Sequence, residues 1–493
     1  MLKHIPFFIL TNHSNIKYYQ WIKIFSLNNL NSKMFYIPNK TKKRKVGETN
    51  LNKNIYKVKR VAKIFISKKH PDYNYFKNQM EISTNIYNYI NFLIRQKFFL
   101  NTKDTYILKE EILTEYPSLT VDLKTYFSGS KLIDITLLTR VARNYVKESN
   151  LEINTKVITS VVRKLFSDWS SFFALLKAKK EGSYTKDVSI PKYKKNKYNL
   201  VEYTNQTISK KLYLGKGLLG TTQMEGIKIP DFIDFVDISS FRVYYKYTSI
   251  IIEIIYDKEI SDNILVSSKR VCSADIGLDV LLALTFNFDK RPLNVNGKPV
   301  KSINQYFNKE LAKAQSQLPK NIYTSNKIQN LYRKREVQIR NYFGYVTNKL
   351  VDLLVENNID TFVIGYNKEQ KQEINLGKKT NQNFVSIPFY KLREIIKYKL
   401  EEAGIKYVEQ EESYTSKTSF LDNDYIPTYK DDDTNNYQFS GKRIKRGLYK
   451  TINGKLIHAD TNGSFNIMRK AGFEIENLPN LLNREIITPL QLV

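Results

Sequence analysis

From residue 271 onward the chain alternates between two periodicities, and that alternation narrows the choice of fold more than any other feature. Val271-Cys272-Ser273-Ala274-Asp275-Ile276-Gly277 reads as strand and runs into a second apolar stretch at 280–286. An amphipathic helical stretch bearing many Lys and Arg covers about 303–357. Ile359-Asp360-Thr361-Phe362-Val363-Ile364-Gly365 is a short β-rich run typical of a buried strand, and a helix over about 388–403 leads to a further strand at 405–408. Strand, helix, strand, helix, strand implies parallel pairing through helical crossovers. The hairpin-like opening around Asp275 makes the sheet mixed.

A mixed α/β sheet in this order is the layout of an RNase H-like nuclease fold. Such folds bring carboxylates from distant segments around two divalent ions, so at least three acidic ligands are wanted. Asp275 is the first candidate. An isolated carboxylate within a buried strand is costly, and metal coordination is one reason to keep it there. Gly277 would let backbone or ligand come close. From the local segment alone, an Asp capping a strand-end turn is the commoner case. Asp460, in Leu456-Ile457-His458-Ala459-Asp460-Thr461-Asn462-Gly463, opens the helical stretch 464–470 and reads as either a ligand or a helix cap.

Among 493 residues, 79 Lys and Arg face 48 Asp and Glu, a formal net charge of +31. Cations in that excess favour a polyanionic partner, because Lys and Arg reaching phosphates release counterions from nucleic acid. A surplus of Lys, Asn, Ile and Tyr also follows from an AT-rich genome. The single cysteine, Cys272, rules out a disulfide framework and a cysteine-based zinc site. The apolar run 5–10 is far shorter than the ~20 residues needed to span a bilayer. Residues 1–55 read as a basic, loosely ordered extension holding Lys42-Lys43-Arg44-Lys45-Val46, either an import signal or a phosphate-binding tail.

The pattern at 56–66 is strand-like, and about 73–180 is helical, with Trp169, Phe172 and Phe173 expected as core anchors or as a platform for bases. The stretch 180–216 turns polar, basic and aromatic, including Ile190-Pro191-Lys192-Tyr193-Lys194-Lys195, and short strands follow at 227–230 and 241–256. Such interleaving suits a β-rich surface that tracks a nucleic-acid backbone.

Several segments, in order, resemble the TnpB (OrfB) proteins of insertion sequences and their eukaryotic and viral relatives, the Fanzor proteins. They are Ala274-Asp275-Ile276-Gly277-Leu278, Lys371-Gln372-Glu373-Ile374-Asn375-Leu376-Gly377, Asn381-Gln382-Asn383-Phe384-Val385 and Glu412-Ser413-Tyr414-Thr415-Ser416-Lys417. Ser440-Gly441-Lys442-Arg443-Ile444-Lys445-Arg446-Gly447-Leu448 and Ala459-Asp460-Thr461-Asn462-Gly463-Ser464-Phe465-Asn466-Ile467 complete the series. Thr204-Asn205-Gln206-Thr207-Ile208-Ser209-Lys210-Lys211 is similar to the family's wedge segment.

The resemblance implies an RNA-guided DNA endonuclease encoded by a transposable element, cleaving by two-metal phosphodiester hydrolysis with Mg²⁺ or Mn²⁺. Its partners would be a guide RNA from the element's own transcript and double-stranded target DNA. The implied architecture is a RuvC-like nuclease domain at 266–475 with an insertion at 418–452. It adds a β-rich wedge domain at 56–70 and 181–265, a helical recognition domain at 71–180, and a tail at 476–493. Asp275 falls on the family's first catalytic Asp and Asp460 on its last. Lys192, Lys194, Lys195, Asn205, Gln206, Lys210, Lys211, Lys442, Arg443, Lys445 and Arg446 are the expected nucleic-acid contacts.

Two departures matter. Most family members carry the middle catalytic Glu where this chain has Gly365, and a subset has a substitute near the end of the next strand. The run Glu409-Gln410-Glu411-Glu412 lies there, with Glu412 the expected ligand and Glu411 the backup. Period-two alternation puts Val408, Gln410 and Glu412 on one face and Glu409 and Glu411 on the other. Glu373 lies in a matched segment too. The family's four-cysteine zinc insertion has no cysteine here, so 421–450 is expected to fold without zinc, packed by Tyr429, Tyr437 and Phe439. The missing Glu also motivates an alternative, a cleavage-deficient guided DNA-binding or transposition accessory protein. Location would be nuclear in a eukaryotic or viral setting and the nucleoid in a bacterial one.

Overall fold

Two apolar cores organise the computed structural model, which describes residues 55–99, 120–261, 269–366, 387–428, 437–475 and 489–493. The first core gathers strand β1 (Ile55–Ile66) and helices α1 (Tyr73–Phe98), α2 (Thr120–Ser128), α3 (Ile135–Glu148) and α4 (Thr155–Lys180). Side-chain caps start two of these helices: Asp134 accepts from the Leu137 amide and Asn154 from that of Lys156. Trp169 is fully buried, donating Nε1–H to Asn91 Oδ1 at 3.0 Å. Phe172 is buried beside it while Phe173 is 40% exposed, so the first two are core anchors.

The chain then forms β2 (Val201–Thr204), a 3-10 turn at Asn205–Thr207, and α5 (Lys210–Lys216). β3 (Leu218–Leu219), β4 (Ile227–Lys228), β5 (Ile238–Lys246) and β6 (Ser249–Ser261) follow. Strands pair antiparallel in the order β1-β6-β5-β2, with β1 and β6 in register from Ile55↔Ser261 to Ile66↔Ile250. Helix α5 interrupts what the sequence reads as a β-rich surface. Ser209 caps its start and Gly217, at φ 66°, closes its end in the left-handed region, so local caps decide the segment.

The second core is built on β7 (Val271–Ile276), β8 (Val280–Phe286), β9 (Leu293–Asn296), α6 (Lys298–Ser316), α7 (Asn326–Glu356) and β10 (Thr361–Tyr366). α8 (Phe389–Glu402) and β11 (Lys406–Glu411) complete the alternation. Strand order is β11-β10-β7-β8-β9, with β7, β8 and β9 antiparallel and β10 parallel to both β7 and β11. That mixed α/β sheet, an antiparallel opening followed by parallel strands with helical crossovers, is the one expected from the sequence. β15 (Leu490–Gln491) adds a parallel edge strand beside β9, so the end of the segment read as a tail joins the sheet. Two residues carry too little periodicity for that pairing to be visible in sequence.

After β11 come β12 (Lys442–Lys445), β13 (Leu448–Lys450) and β14 (Leu456–His458), a small antiparallel sheet leading into α9 (Ala459–Lys470). α9 begins at Ala459 rather than Ser464. It packs across β7, β8 and β10 on small polar residues: Ser464 Oγ, Ser273 Oγ and Thr285 Oγ1 form a buried hydroxyl cluster at 2.7–3.1 Å. Satisfied polar groups of this kind fix the height of the helix over the sheet.

The insertion is knit by carboxylates. Asp424 accepts from the amides of Ser419 (2.9 Å) and Ser440 (3.1 Å) and from the Ser440 hydroxyl (2.5 Å). Asp422 accepts from the Ser419 hydroxyl (2.6 Å) and the Ile452 amide (3.1 Å). Arg469 binds Asn423 Oδ1 and the Asp424 carbonyl. Tyr437 and Phe439 pack on Tyr414, as expected, while Tyr429 lies outside the described residues. No described helix is long and apolar enough to cross a membrane.

Candidate active site and nucleic-acid interface

Three carboxylates lie where β7 and β11 end and α9 begins, with Glu412 and Asp460 within electrostatic reach of Asp275. Asp275 sits one residue beyond the last β7–β10 pair, Ala274↔Ile364, and therefore alongside Gly365. Gly463 of α9 lies against it: a Cβ there would stand 2.7 Å from Asp275 Oδ2. Burial, then the negative charges of Glu412 and Asp460, hold the Asp275 carboxyl well above the usual carboxylate range.

Glu412 follows the end of β11, and its amide donates to the Tyr366 carbonyl at 3.2 Å. Its carboxylate fills the space that Gly365 leaves open: a Cβ at 365 would stand 2.5 Å from Glu412 Oε2 and 2.7 Å from Ile467 Cδ1. The turn beyond it is strained, with Tyr414 at φ 64°. Glu411 has other partners: Lys470 Nζ at 2.6 Å, the Ser413 amide at 2.6 Å and the Ser413 hydroxyl at 2.8 Å. Those bonds hold its carboxyl below the ordinary value despite partial burial. Glu409 instead meets Tyr407 and Arg393. Strict alternation therefore fails at the strand end, because the turn at 412–415 redirects Glu411 toward α9.

Asp460 occupies the first turn of α9, with Arg443 of β12 at 3.6 Å. Arg446 and Lys301 both pair with Asp279 in the β7–β8 turn. The exposed basic hairpin with Lys442, Arg443, Lys445 and Arg446 thus leans toward the carboxylates. Sequence reasoning passed over His458, whose buried Nδ1 has no hydrogen-bond partner and whose pKa burial lowers. Its place beside Arg443 and Asp460 depends on a hairpin no periodicity reveals. Glu373 and the cluster at Lys42–Lys45 lie outside the described residues.

Burial and neighbouring negative charge make Asp275 and Glu412 reluctant to ionise, a condition that a divalent cation would relieve. Among the described residues, no three His, Cys, Asp or Glu side chains already converge on one cation position. The donor set fits in chemistry, with Asp275 central, Glu412 on the β11 side and Asp460 on the α9 side.

Burial and the charge of Glu411 push the Glu412 pKa up to about 7. Between its ordinary value of 4.5 and 7, the folded protein keeps a proton that the unfolded chain has released, so stability falls as pH rises through that window. In chelator, Glu412→Gln is expected to raise Tm by a few degrees at pH 8 and by nothing near pH 4, as calorimetry would show.

A second candidate surface lies on the other core. A groove of about 870 Å³ is lined by Arg143 of α3, Lys156, Arg163 and Lys164 of α4, and Lys194, Asn205 and Gln206. Lys194 is positioned through its backbone, which exchanges hydrogen bonds with the Asn88 side chain, and its Nζ lies 4.6 Å over the Tyr87 ring. Lys192, Lys195, Lys210 and Lys211 are exposed. The helical cations were not singled out in the sequence, although Lys156 and Arg163 sit seven apart on one face.

A family model described as "Probable transposase" (OrfB_IS605) matches residues 256–371, and one described as "Cas12f1-like, TNB domain" matches residues 389–467. The chain is 21% identical over 431 residues to the TnpB-like protein ORF457 of Acidianus two-tailed virus, spanning 79% of this chain and 82% of that one. Among solved structures, a Cas12f1–sgRNA–target DNA complex is similar at 13% identity and a TM-score of 0.43, over 80% of this chain and 82% of that chain. A CRISPR-Cas12f ternary complex is similar at 14% identity and a TM-score of 0.29, over 78% and 80%. Asp275 and Gly365 fall within the first matched stretch and Glu412 and Asp460 within the second, so the candidate carboxylates all lie where the chain is similar to the TnpB (OrfB) and Cas12f1-like models.

Proposed function

We propose that this protein is an RNA-guided DNA endonuclease of transposon origin, with a RuvC-like catalytic domain at 266–475. The observation that carries the reading is the Glu412 carboxylate seated in the space of the missing side chain at Gly365, within electrostatic reach of Asp275. Asp275, Glu412 and Asp460 would hold Mg²⁺, two ions in the full arrangement, with Mn²⁺ as a substitute. Bound there, divalent ions supply an activated water and stabilise charge on the leaving oxygen of the phosphodiester.

The remaining work falls to the chain. The largely apolar, half-buried surroundings of Asp275 lower the local dielectric and would strengthen its hold on positive charge. Arg443, with Lys442, Lys445 and Arg446, would bind target phosphates beside Asp460, where a guanidinium offers paired donors. The helices at 71–180 and the sheet with β1, β2, β5 and β6 would hold guide RNA and flanking duplex along the basic groove. Sequence would be read by base pairing and a short flanking motif by the protein. No zinc is called for. In a eukaryotic or viral setting the protein would act in the nucleus.

The test uses protein purified with its own RNA, a plasmid bearing the matching target, and Mg²⁺. Cutting that moves when only the guide end of the RNA is recoded is the expected result. Guided binding without cutting would favour the cleavage-deficient reading that Gly365 motivates. Binding indifferent to the RNA would favour a transposition accessory role.

A further inference from the structure

Lys470 closes α9 at the opposite end from Asp460 and is almost fully buried, its side chain 7% exposed. Its Nζ donates to Glu411 Oε2 at 2.6 Å, the Ser413 carbonyl at 2.9 Å, the Ser413 hydroxyl at 3.0 Å and the Pro427 carbonyl at 3.0 Å. An ammonium has three protons, so these acceptors saturate it. Two of the residues it grips, Glu411 and Ser413, flank Glu412. They are also joined to each other, through the Ser413 amide and hydroxyl on the Glu411 carboxylate.

A side chain placed beyond a strand end loses the ladder that would otherwise fix its backbone. Glu412 keeps one strand contact, to Tyr366, and its carbonyl accepts from the Thr415 amide and hydroxyl. The residues on either side of it are held by a cation on the same helix that carries Asp460 and presses Gly463 against Asp275. One rigid element thereby references all three carboxylates.

We infer that Lys470 is a positioning residue for Glu412: its ammonium, bridging Glu411 and Ser413, sets the backbone from which the relocated carboxylate reaches the cation site. The inference rests on the reading of Glu412 as a metal ligand. Neighbours that orient a ligand in this way are worth about 10–100-fold in metal affinity. A lysine that merely closed the helix end would alter thermal stability and leave metal affinity alone.

The experiment titrates Mn²⁺ into full-length protein carrying its RNA, reading free Mn²⁺ by electron paramagnetic resonance alongside Tm and guided target binding. Lys470→Met is expected to weaken Mn²⁺ binding about tenfold with guided DNA binding unchanged, and Lys470→Arg to recover most of the loss. Unchanged Mn²⁺ affinity in Lys470→Met would overturn the inference. If that variant does not fold, Glu411→Gln takes its place: a several-fold loss supports the inference and unaltered affinity overturns it. Glu412→Gln separates the two levels. If it binds Mn²⁺ like the parent, the ligand reading falls; if it weakens binding while Lys470→Met does not, only the positioning role falls.

Discussion

Asp275→Asn, in protein carrying its RNA, is expected to slow cleavage of a matched plasmid at least about a thousandfold, a barrier increase of about 4 kcal/mol. Guided binding to the same DNA should be unchanged. The amide preserves size and removes the charge, so a loss reports the missing carboxylate rather than a cavity. Glu412→Gln should fall by a comparable factor. Glu411→Ala should stay within about tenfold of the parent at saturating Mg²⁺, because its carboxylate is engaged with Lys470 and Ser413. Single-turnover cleavage with gel-resolved products checks all three. Parental rates in Glu412→Gln would remove it from the site.

The second large effect concerns shared space. Since a Cβ at 365 would sit 2.5 Å from Glu412 Oε2, Gly365→Ala should displace that carboxylate and cost cleavage about a hundredfold, nearly 3 kcal/mol. The same geometry makes a stronger demand. In a Glu412→Ala background, Gly365→Glu should restore cleavage to within about tenfold of the parent, because the returning carboxylate enters the vacated volume from β10. Gly365→Glu alone should not exceed the parent, as two carboxylates then compete for one place. A double variant no more active than Glu412→Ala would show that the two positions do not exchange.

Much of the sheet was legible in sequence because its periods are clean. The apolar runs of β7 and β8, joined by a tight turn and set apart from β10 by two amphipathic helices, leave little choice of order or direction. Asp275 was legible only as an anomaly, a charge in a buried strand, and its local segment did not separate ligand from cap. Glu412 was reached through its place beside the family-like Tyr414-Thr415-Ser416 segment, while strand alternation held only as far as Gln410. The rest was hidden because three-dimensional contacts decide it. Glu411 turns to Lys470 fifty-nine positions away, a pairing no window of sequence contains. The cations of α3 and α4 meet Asn205 and Gln206 only after the sheet brings distant segments together. Helix α5 depended on two caps, Ser209 and Gly217, in a stretch whose composition pointed toward strands.

The insertion between β11 and α9 is tied by the carboxylates of Asp422 and Asp424 to amides and hydroxyls, and the one sulfhydryl of the chain, Cys272, is sealed inside β7. Oxidants therefore find no accessible thiol among the described residues to attack. These ties also ask nothing of the host's zinc supply. An element carried between hosts of differing metal content and redox poise would bring this part of its fold along intact.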